Sequence, residues 1–437
     1  MHYSAESGGD VDENGGPTFN VDRGALYSSS SYSKVQIRAL IQTVLANSVN
    51  LATLIGSGAS SPAIPLMSQI FQDFRGEKDQ DTKDELDDRI RLFLDNSEDN
   101  GTRTTAGSPI ETFGDIESFL SWLDYRVKGN LKGSDNDYTI FHDIEKYLIQ
   151  KISGKDRDEG KLQSAVSNNY LKVIQGLGES RRIANAQSDY FYDVVNLFTT
   201  NYDLCHERAL EASRYAYTDG FTNGIQSSFS MTEFHRRPAD LENRFKDKVE
   251  LVNPFFRLVK LHGSINWESG SENDQIFRTQ VDDTSSSKNN VLISPTSSKY
   301  ALTQNEPYSD LFREFVNTLA RPNTVLFTSG FSFGDEHITK LILNALARPD
   351  FTLYAFVSRP DTTTQNGLSY FYSHARSPNA YFIYPEKLKN GDRAGVKDPL
   401  LFSDFADFIA PAAFTYTNPD RTSRTDSPSE FSFDEDN

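Results

Sequence analysis

Asn201 and His262 are the two side chains of this sequence that are best placed to do chemistry. Asn201 follows the apolar run 194–199 and His262 follows the run 255–261, so each lies where a buried strand is predicted to end. Open α/β sheets bind their ligands at the carboxyl ends of the strands. An amide both donates and accepts hydrogen bonds, and an imidazole accepts a proton near neutral pH. The pair therefore indicates a site that orients a substrate beside a base.

Two glycine clusters follow two further apolar runs. Gly56-Ser57-Gly58-Ala59-Ser60 comes after the run 51–55, and a second cluster, which starts at Gly330, comes after the run 324–328. Glycine leaves room for phosphate oxygens, and a helix after the first cluster would direct its free N–H groups at the same anion. The alternative is a tight strand–helix turn. The first cluster is not a Walker loop, because no Gly-Lys-Ser/Thr follows it. Four such strand ends indicate a nucleotide-binding site that contains a general base.

Each of these residues also has a structural interpretation. Asn201 suits a helix cap or a turn, and His262 suits a satisfied histidine at a sheet edge. Asp203 is the better candidate for the cap of the next helix, which leaves Asn201 available for a ligand. Asp335 is expected to cap the helix that begins at 336, and His337 in its first turn is a weaker candidate base.

The order of apolar and polar segments predicts one main domain. Residues 1–33 and 418–437 are polar and are predicted to be a disordered arm and a disordered acidic tail. Between them, in 34–417, strands alternate with helices, which predicts an α/β, Rossmann-like, mostly parallel sheet flanked by helices. Residues 82–178 are predicted to form a helical insertion after the first βα unit, and 214–254 an irregular insertion.

Composition excludes several classes of function. The net charge of −18, from 44 basic and 62 acidic residues, argues against a broad surface for nucleic acid or anionic membranes. Cys205 is the single cysteine, which excludes an intramolecular disulfide and a multi-cysteine zinc site, and no His-Glu-x-x-His motif is present. No metal is therefore expected. No apolar run approaches the roughly 20 residues that span a bilayer, and no signal peptide is visible, so a soluble cytoplasmic protein is predicted.

The four clusters, in this order, resemble those of sirtuins. The first glycine cluster, with Ile64-Pro65 after it, resembles their first NAD loop. Thr199-Thr200-Asn201-Tyr202-Asp203 resembles their Thr-Gln-Asn-hydrophobic-Asp segment, and Leu261-His262-Gly263 resembles their His-Gly. Gly330-Phe331-Ser332 lies where sirtuins carry Gly-Thr-Ser. The sequence is most similar to the prokaryotic sirtuin-like NAD hydrolases of anti-phage defence, in which Gly-aromatic-Ser-Phe-x-Asp-x-His-Ile is usual.

The resemblance implies NAD+ as the substrate and a role for each matched residue. Asn201 would orient the ribose and a water, and His262 would act as general base. Contacts to NAD+ are implied for a larger set: Gly56, Gly58, Ala59, Ser60, Thr200, Asp203, Gly330, Ser332 and Phe333. Cleavage of the nicotinamide–ribose bond with water as acceptor would give nicotinamide and ADP-ribose.

Two departures from deacylase sirtuins favour water over a peptide as the acceptor. One cysteine cannot build their four-cysteine zinc module, and the interval from Asn201 to His262 is much longer than theirs. The resemblance further implies NAD+ depletion that causes abortive infection, a HerA-like hexameric ATPase as partner, and a homo-oligomer. The alternatives are an NAD-dependent protein deacylase and a catalytically silent scaffold that binds NAD or ADP-ribose. A nuclease ranks last, because of the acidic charge and the lack of a clustered carboxylate motif.

Overall fold

The computed structural model of the protein describes residues 18–24, 29–97, 113, 116–129, 131, 133–153, 160–187, 194–241, 250–270, 275–279, 290–292, 307–358, 360, 366–386 and 402–411. The predicted acidic tail (418–437) and the first 17 residues of the predicted arm lie outside this set. None of the helices in the described part combines the length and apolar character needed to cross a membrane.

The described strands form one large sheet and two small ones. In chain order they are β1 (Thr18–Arg23), β2 (Ser29–Ser33), β3 (Asn50–Ile55), β4 (Val195–Thr199), β5 (Ala216–Thr218), β6 (Ala239–Asp240), β7 (Glu250–Leu251), β8 (Phe255–Lys260), β9 (Gly263–Ser269), β10 (Ile276–Arg278), β11 (Asn290–Leu292), β12 (Thr324–Ser329), β13 (Phe351–Phe356) and β14 (Ala380–Pro385). The nine-stranded sheet has the order β2-β1-β14-β13-β12-β3-β4-β8-β5, the second sheet has the order β10-β9-β11, and β6 pairs with β7.

The strand order of the large sheet reverses at β3. Strands β4 and β8 are added on one side of β3, and β12, β13 and β14 are added on the other. The seven strands from β14 to β5 are parallel, whereas β1 pairs antiparallel with β14 and β2 pairs antiparallel with β1. The boundary between β3 and β12 is therefore a topological switch point, where open α/β sheets bind ligands. The predicted α/β, Rossmann-like, mostly parallel fold is confirmed.

Helices cover both faces of the large sheet. The helices of the described part are α1 (Lys34–Asn47), α2 (Met67–Glu77), α3 (Gln80–Ser97), α4 (Ile116–Lys128), α5 (Ser134–Ser153), α6 (Gly160–Gln187), α7 (Cys205–Ser213), α8 (Tyr308–Leu319), α9 (Glu336–Ala345), α10 (Gly367–His374) and α11 (Phe402–Ile409). Helices α1, α6, α7 and α11 share one apolar core with the sheet, and α8, α9 and α10 share the other. Strands buried on both faces read as continuous apolar runs, which is why the sequence marks them so clearly.

The stretch 82–178, predicted as a helical insertion, contributes to two different cores. Helices α2 to α5 form a separate apolar cluster that includes Tyr202 and Ile265, which lie just beyond the ends of β4 and β8. Helix α6 instead packs on the sheet through residues such as Tyr170 and Ile174. The helical lobe (α2–α5) therefore sits beside the carboxyl edge of the sheet.

Part of the predicted disordered arm is a β-hairpin. Strand β1 pairs with β14 and buries Phe19 and Val21, and β2 pairs with β1 at the sheet edge. The sequence of β2 is Ser-Ser-Ser-Tyr-Ser, which has no apolar alternation to indicate a strand. Pairing with an existing edge, rather than local propensity, places these residues in the sheet.

A buried ion pair between the sheet and α8 is expected to be costly to break. Arg257 Nη1 lies 2.7 Å from Glu314 Oε1, and the two side chains are 4% and 5% exposed. Removing one partner of such a pair leaves a buried charge uncompensated, so Glu314→Ala should lower the free energy of unfolding by ~3–5 kcal/mol. Asp88→Ala breaks the exposed Arg91–Asp88 pair and should cost at most ~1 kcal/mol. Urea unfolding of both variants checks this, and equal losses would contradict it.

Candidate active site at the carboxyl edge of the sheet

The four chemically distinctive segments leave the sheet side by side. In the register of the parallel strands, Ser329 pairs with Ile55, Ile55 with Thr199, and Thr199 with Lys260. The residues that follow these four positions, at the same edge of the sheet, are Gly330, Gly56, Thr200 with Asn201, and Leu261 with His262. Neighbouring strands lie about 4.8 Å apart. The predicted strand ends thus meet at the switch point, and those of Asn201 and His262 are direct neighbours.

Gly56 and Gly330 allow the two glycine loops to touch. A Cβ at Gly56 would lie 2.5 Å from the carbonyl oxygen of Gly330, and one at Gly330 would lie 2.4 Å from the nitrogen of Ala59. Gly330 also has a φ of +64°, which glycine adopts without strain. The space beside Gly56, which the sequence assigns to phosphate oxygens, is therefore filled by the other loop. Gly58 is exposed and remains available to a ligand.

The chain after the first glycine cluster is less helical than the sequence suggests. Ser57–Ala59 form a single 3₁₀ turn, and the helix expected after the first glycine cluster begins only at Met67. Pro65 lacks an N–H group and disfavours helical angles in Ile64, which explains the delay. The predicted helix N-terminus does not directly follow the glycine cluster.

Asn201 is buried and has one free acceptor. Its side-chain nitrogen Nδ2 donates to the carbonyl of Gly56 at 3.1 Å and lies 3.3 Å from Ser60 Oγ and 3.2 Å from Tyr170 OH. A carbonyl only accepts hydrogen bonds, so the contact with Gly56 fixes which end of the amide faces the loop. Oδ1 therefore faces the other way, and it has no hydrogen-bond partner among the described residues. An unpaired buried acceptor is costly, which points to a ligand or water at this position.

A buried hydroxyl–carboxylate network holds the amide of Asn201. Ser60 Oγ donates to Asp203 Oδ2 at 2.6 Å and lies 2.8 Å from Tyr170 OH. Burial raises the pKa of Tyr170 well above its usual value, so the hydroxyl stays protonated. Two predicted NAD+ contacts, Ser60 and Asp203, thus use their side chains to position Asn201. Sequence reasoning missed Tyr170, because an aromatic residue in a helical apolar stripe looks like any core residue.

Asp203 and Lys260 fix the backbone after β4. Asp203 Oδ1 accepts from the backbone nitrogen of Cys205, the first residue of α7, at 2.9 Å. The N-cap position of α7 is Leu204, without a side-chain cap bond, so Asp203 lies one residue before the predicted cap position. Lys260 is buried, and its ammonium donates to the carbonyl of Asp203, to Ser264 Oγ at 2.7 Å and to Glu207 Oε1 at 3.0 Å. The loop that carries Asn201 is therefore held from the next strand, a role that the sequence did not indicate.

His206 makes the stability of this network sensitive to acid. Its ring packs on Tyr170, and burial lowers the pKa of His206 from 6.5 to about 4; Asp203 opposes this shift and Lys260 adds to it. Between these values the unfolded chain binds a proton that the folded chain does not, so stability is full above pH 6.5 and falls as the pH drops toward 4. Between pH 7 and pH 5 the shift of His206 should lower the free energy of unfolding by about 2 kcal/mol.

Urea unfolding at both pH values measures this loss of stability. We expect a smaller loss in His206→Asn than in the wild type or in His374→Asn, a control at an exposed histidine. An equal loss in all three proteins would contradict the prediction.

His262 lies between aromatic rings and a carboxylate. Its ring centroid is 6.4 Å from those of Tyr202 and Phe312, and its Nε2 lies 3.2 Å from Asp335 Oδ2. The side chains of His262 and Asp335 are 13% and 8% exposed. Asp335 also caps α9, because its Oδ1 accepts from two backbone nitrogens of that helix, which confirms the predicted cap. Its contact with His262 was not predicted.

The remaining predicted contacts have different surroundings. Ser332 is exposed, and its hydroxyl accepts from the backbone nitrogen of Gly334 at 3.3 Å. Thr200 is half-buried and donates its backbone N–H to Ile55, and Ala59 is buried in the sheet core. The ring of Phe333, another of the implied NAD+ contacts, is 1% exposed and stacks on that of Phe371, with 4.2 Å between the ring centroids. This stacking places the ring of Phe333 in the apolar core.

Comparison with known proteins finds a family match for part of the chain. Residues 195–375 match the SIR2-like domain. This SIR2-like segment contains Asn201, His262, Gly330 and Asp335, and it begins after the first glycine cluster. A solved structure, "The Structural basis of Sirtuin Substrate Affinity", is 14% identical, with 72% of this chain and 85% of that chain covered and a TM-score of 0.34. No curated protein matches the sequence.

Proposed function

We propose that this protein is an NAD+ glycohydrolase that transfers the ADP-ribosyl group to water. The observation that carries the proposal is the buried, unpaired Oδ1 of Asn201, held at a strand end next to the strand end of His262. The match of residues 195–375 to the SIR2-like domain supports NAD+ as the substrate. A fixed hydrogen-bond acceptor near a general base suits this reaction, because the ribose hydroxyl groups and the attacking water both need to be oriented.

The reaction needs positioning more than strong chemical activation. The nicotinamide of NAD+ is a cationic leaving group, so its bond to the ribose breaks through an oxocarbenium-like transition state. Asn201 Oδ1 accepts a hydrogen bond from a ribose hydroxyl or from the attacking water, and His262 accepts the proton that this water loses. The carbon–nitrogen bond breaks and a carbon–oxygen bond forms. NAD+ and water thus give nicotinamide, ADP-ribose and one proton.

A protein deacylase is the second candidate, and the sequence argues against it. The single cysteine, Cys205, cannot supply the four thiolates of the deacylase zinc module. The insertion at 214–254 lies between Asn201 and His262, where deacylases have a short interval. A silent scaffold that binds NAD or ADP-ribose is the third candidate.

Three parallel incubations separate the three candidates. Purified protein is mixed with NAD+ alone, with NAD+ and an acetylated peptide, and with NAD+ and a HerA-like ATPase, and nicotinamide is measured by chromatography. Nicotinamide release without peptide supports the glycohydrolase. Release only with loss of the acetyl group supports the deacylase. Calorimetric binding of NAD+ without product in any mixture supports the scaffold.

We also propose the cellular setting that the sirtuin resemblance implies. NAD+ depletion by a cytoplasmic homo-oligomer, in complex with a HerA-like hexameric ATPase, would stop phage replication by abortive infection. The segment 34–417 is proposed to be its NAD-binding domain. Light scattering of the purified chain, with and without a HerA-like ATPase, tests the assembly, and a monomer in both samples would refute it.

A further inference from the structure

We propose that Asp335 is a positioning residue that fixes the ring and the tautomer of His262. The inference rests on the proposed function, in which His262 is the base. It links two segments that are distant in the sequence: the loop after β12, which starts at Gly330, and the loop after β8. These loops lie at the same edge of the sheet but on opposite sides of β3 and β4.

The two carboxylate oxygens of Asp335 have separate roles. Oδ1 accepts from the backbone nitrogens of His337 at 3.0 Å and Ile338 at 3.2 Å, so the first turn of α9 sets the orientation of the carboxylate. Oδ2 lies 3.2 Å from Nε2 of His262. A helix cap alone uses one oxygen, so the contact with His262 requires a further explanation.

The surroundings of His262 leave one ring nitrogen for chemistry. Tyr202 and Phe312 contact the ring as aromatic neighbours, and Asp335 is the charged group in contact with it among the described residues. A carboxylate only accepts hydrogen bonds, so a carboxylate beside Nε2 favours the histidine tautomer that carries the proton on Nε2. Nδ1 then keeps its lone pair and can accept a proton.

The carboxylate also assists during the reaction. When the attacking water bonds to the ribose carbon and the bond to nicotinamide breaks, the water proton moves to Nδ1, and His262 becomes an imidazolium. The negative charge of Asp335 stabilises this cation, in the way that a buried carboxylate assists a general-base histidine. The proton then leaves to solvent, and the original tautomer is restored.

The substitution Asp335→Asn separates this role from helix capping. Asparagine caps helices as well as aspartate does, but it brings no negative charge to His262. We expect kcat for nicotinamide release to fall about 100-fold, with KM for NAD+ within about threefold and an unchanged unfolding midpoint. The control Ser33→Ala removes the capping box of α1, far along the chain from the site. It should lower the unfolding midpoint and leave kcat unchanged.

A spectroscopic measurement tests the same contact without turnover. Nitrogen-15 shifts of the His262 ring, assigned with His262→Gln, report which nitrogen carries the proton. We expect the Nε2-protonated tautomer in the wild type and a mixture in Asp335→Asn. An identical tautomer in both proteins would overturn the inference, as would an unchanged kcat in Asp335→Asn. If the wild type releases no nicotinamide yet shows this tautomer difference, the glycohydrolase proposal fails and the positioning role stands.

Discussion

Asn201→Ala should lower nicotinamide release by at least about 10³-fold. The substitution removes the buried Oδ1, the free acceptor that would hold the ribose or the attacking water. Loss of one preorganised polar group in a water-excluded site costs about 10²–10³ in rate, and loss of substrate orientation adds to it. The measurement is nicotinamide formed per enzyme and minute at saturating NAD+, read by chromatography.

The control for Asn201 keeps the acceptor and weakens only its support. Tyr170→Phe removes one of the three contacts of the side-chain nitrogen of Asn201 and leaves Oδ1 in place. We expect this variant to retain at least about a tenth of the wild-type rate. Turnover in Asn201→Ala at a level similar to that of Tyr170→Phe would refute the assignment of the amide, provided that both proteins unfold cooperatively.

His262→Ala should have the second large effect, a loss of about 10²–10⁴-fold in kcat. That range is typical when a positioned general base is removed. KM for NAD+ should change little, because the proton moves only as the transition state forms. Initial rates over a range of NAD+ concentrations separate kcat from KM.

His337 supplies the comparison that decides which histidine acts as base. It lies in the first turn of α9, and its ring packs on Phe312 with centroids 4.8 Å apart, so it shares an aromatic neighbour with His262. We expect His337→Ala to keep kcat within about tenfold of the wild type. If His337→Ala lost activity and His262→Ala kept it, the assignment of the general base to His262 would be wrong.

The strands and the loops that carry the site could be predicted because their signals are local. The runs before Asn201 and His262 are mostly apolar, since parallel strands are buried on both faces, and the polar residue after each run marks where the strand ends. The cap at Asp335 is also a local signal, because a capping side chain bonds to backbone nitrogens two and three residues away.

The partners of these residues depend on the packing of distant segments, and this part required the structure. Tyr170 reaches Asn201 from a helix that the sequence groups with an insertion, and Asp335 reaches His262 across two strands of the sheet. The glycines meet each other rather than leaving an open cradle, and Phe333 turns into the core. Periodicity reports which face of an element is buried, but only the order of strands in the sheet decides which loops become neighbours. The sequence by itself therefore determined the fold class and the candidate groups, whereas the tertiary structure decided which atoms hold them and which atom is left free.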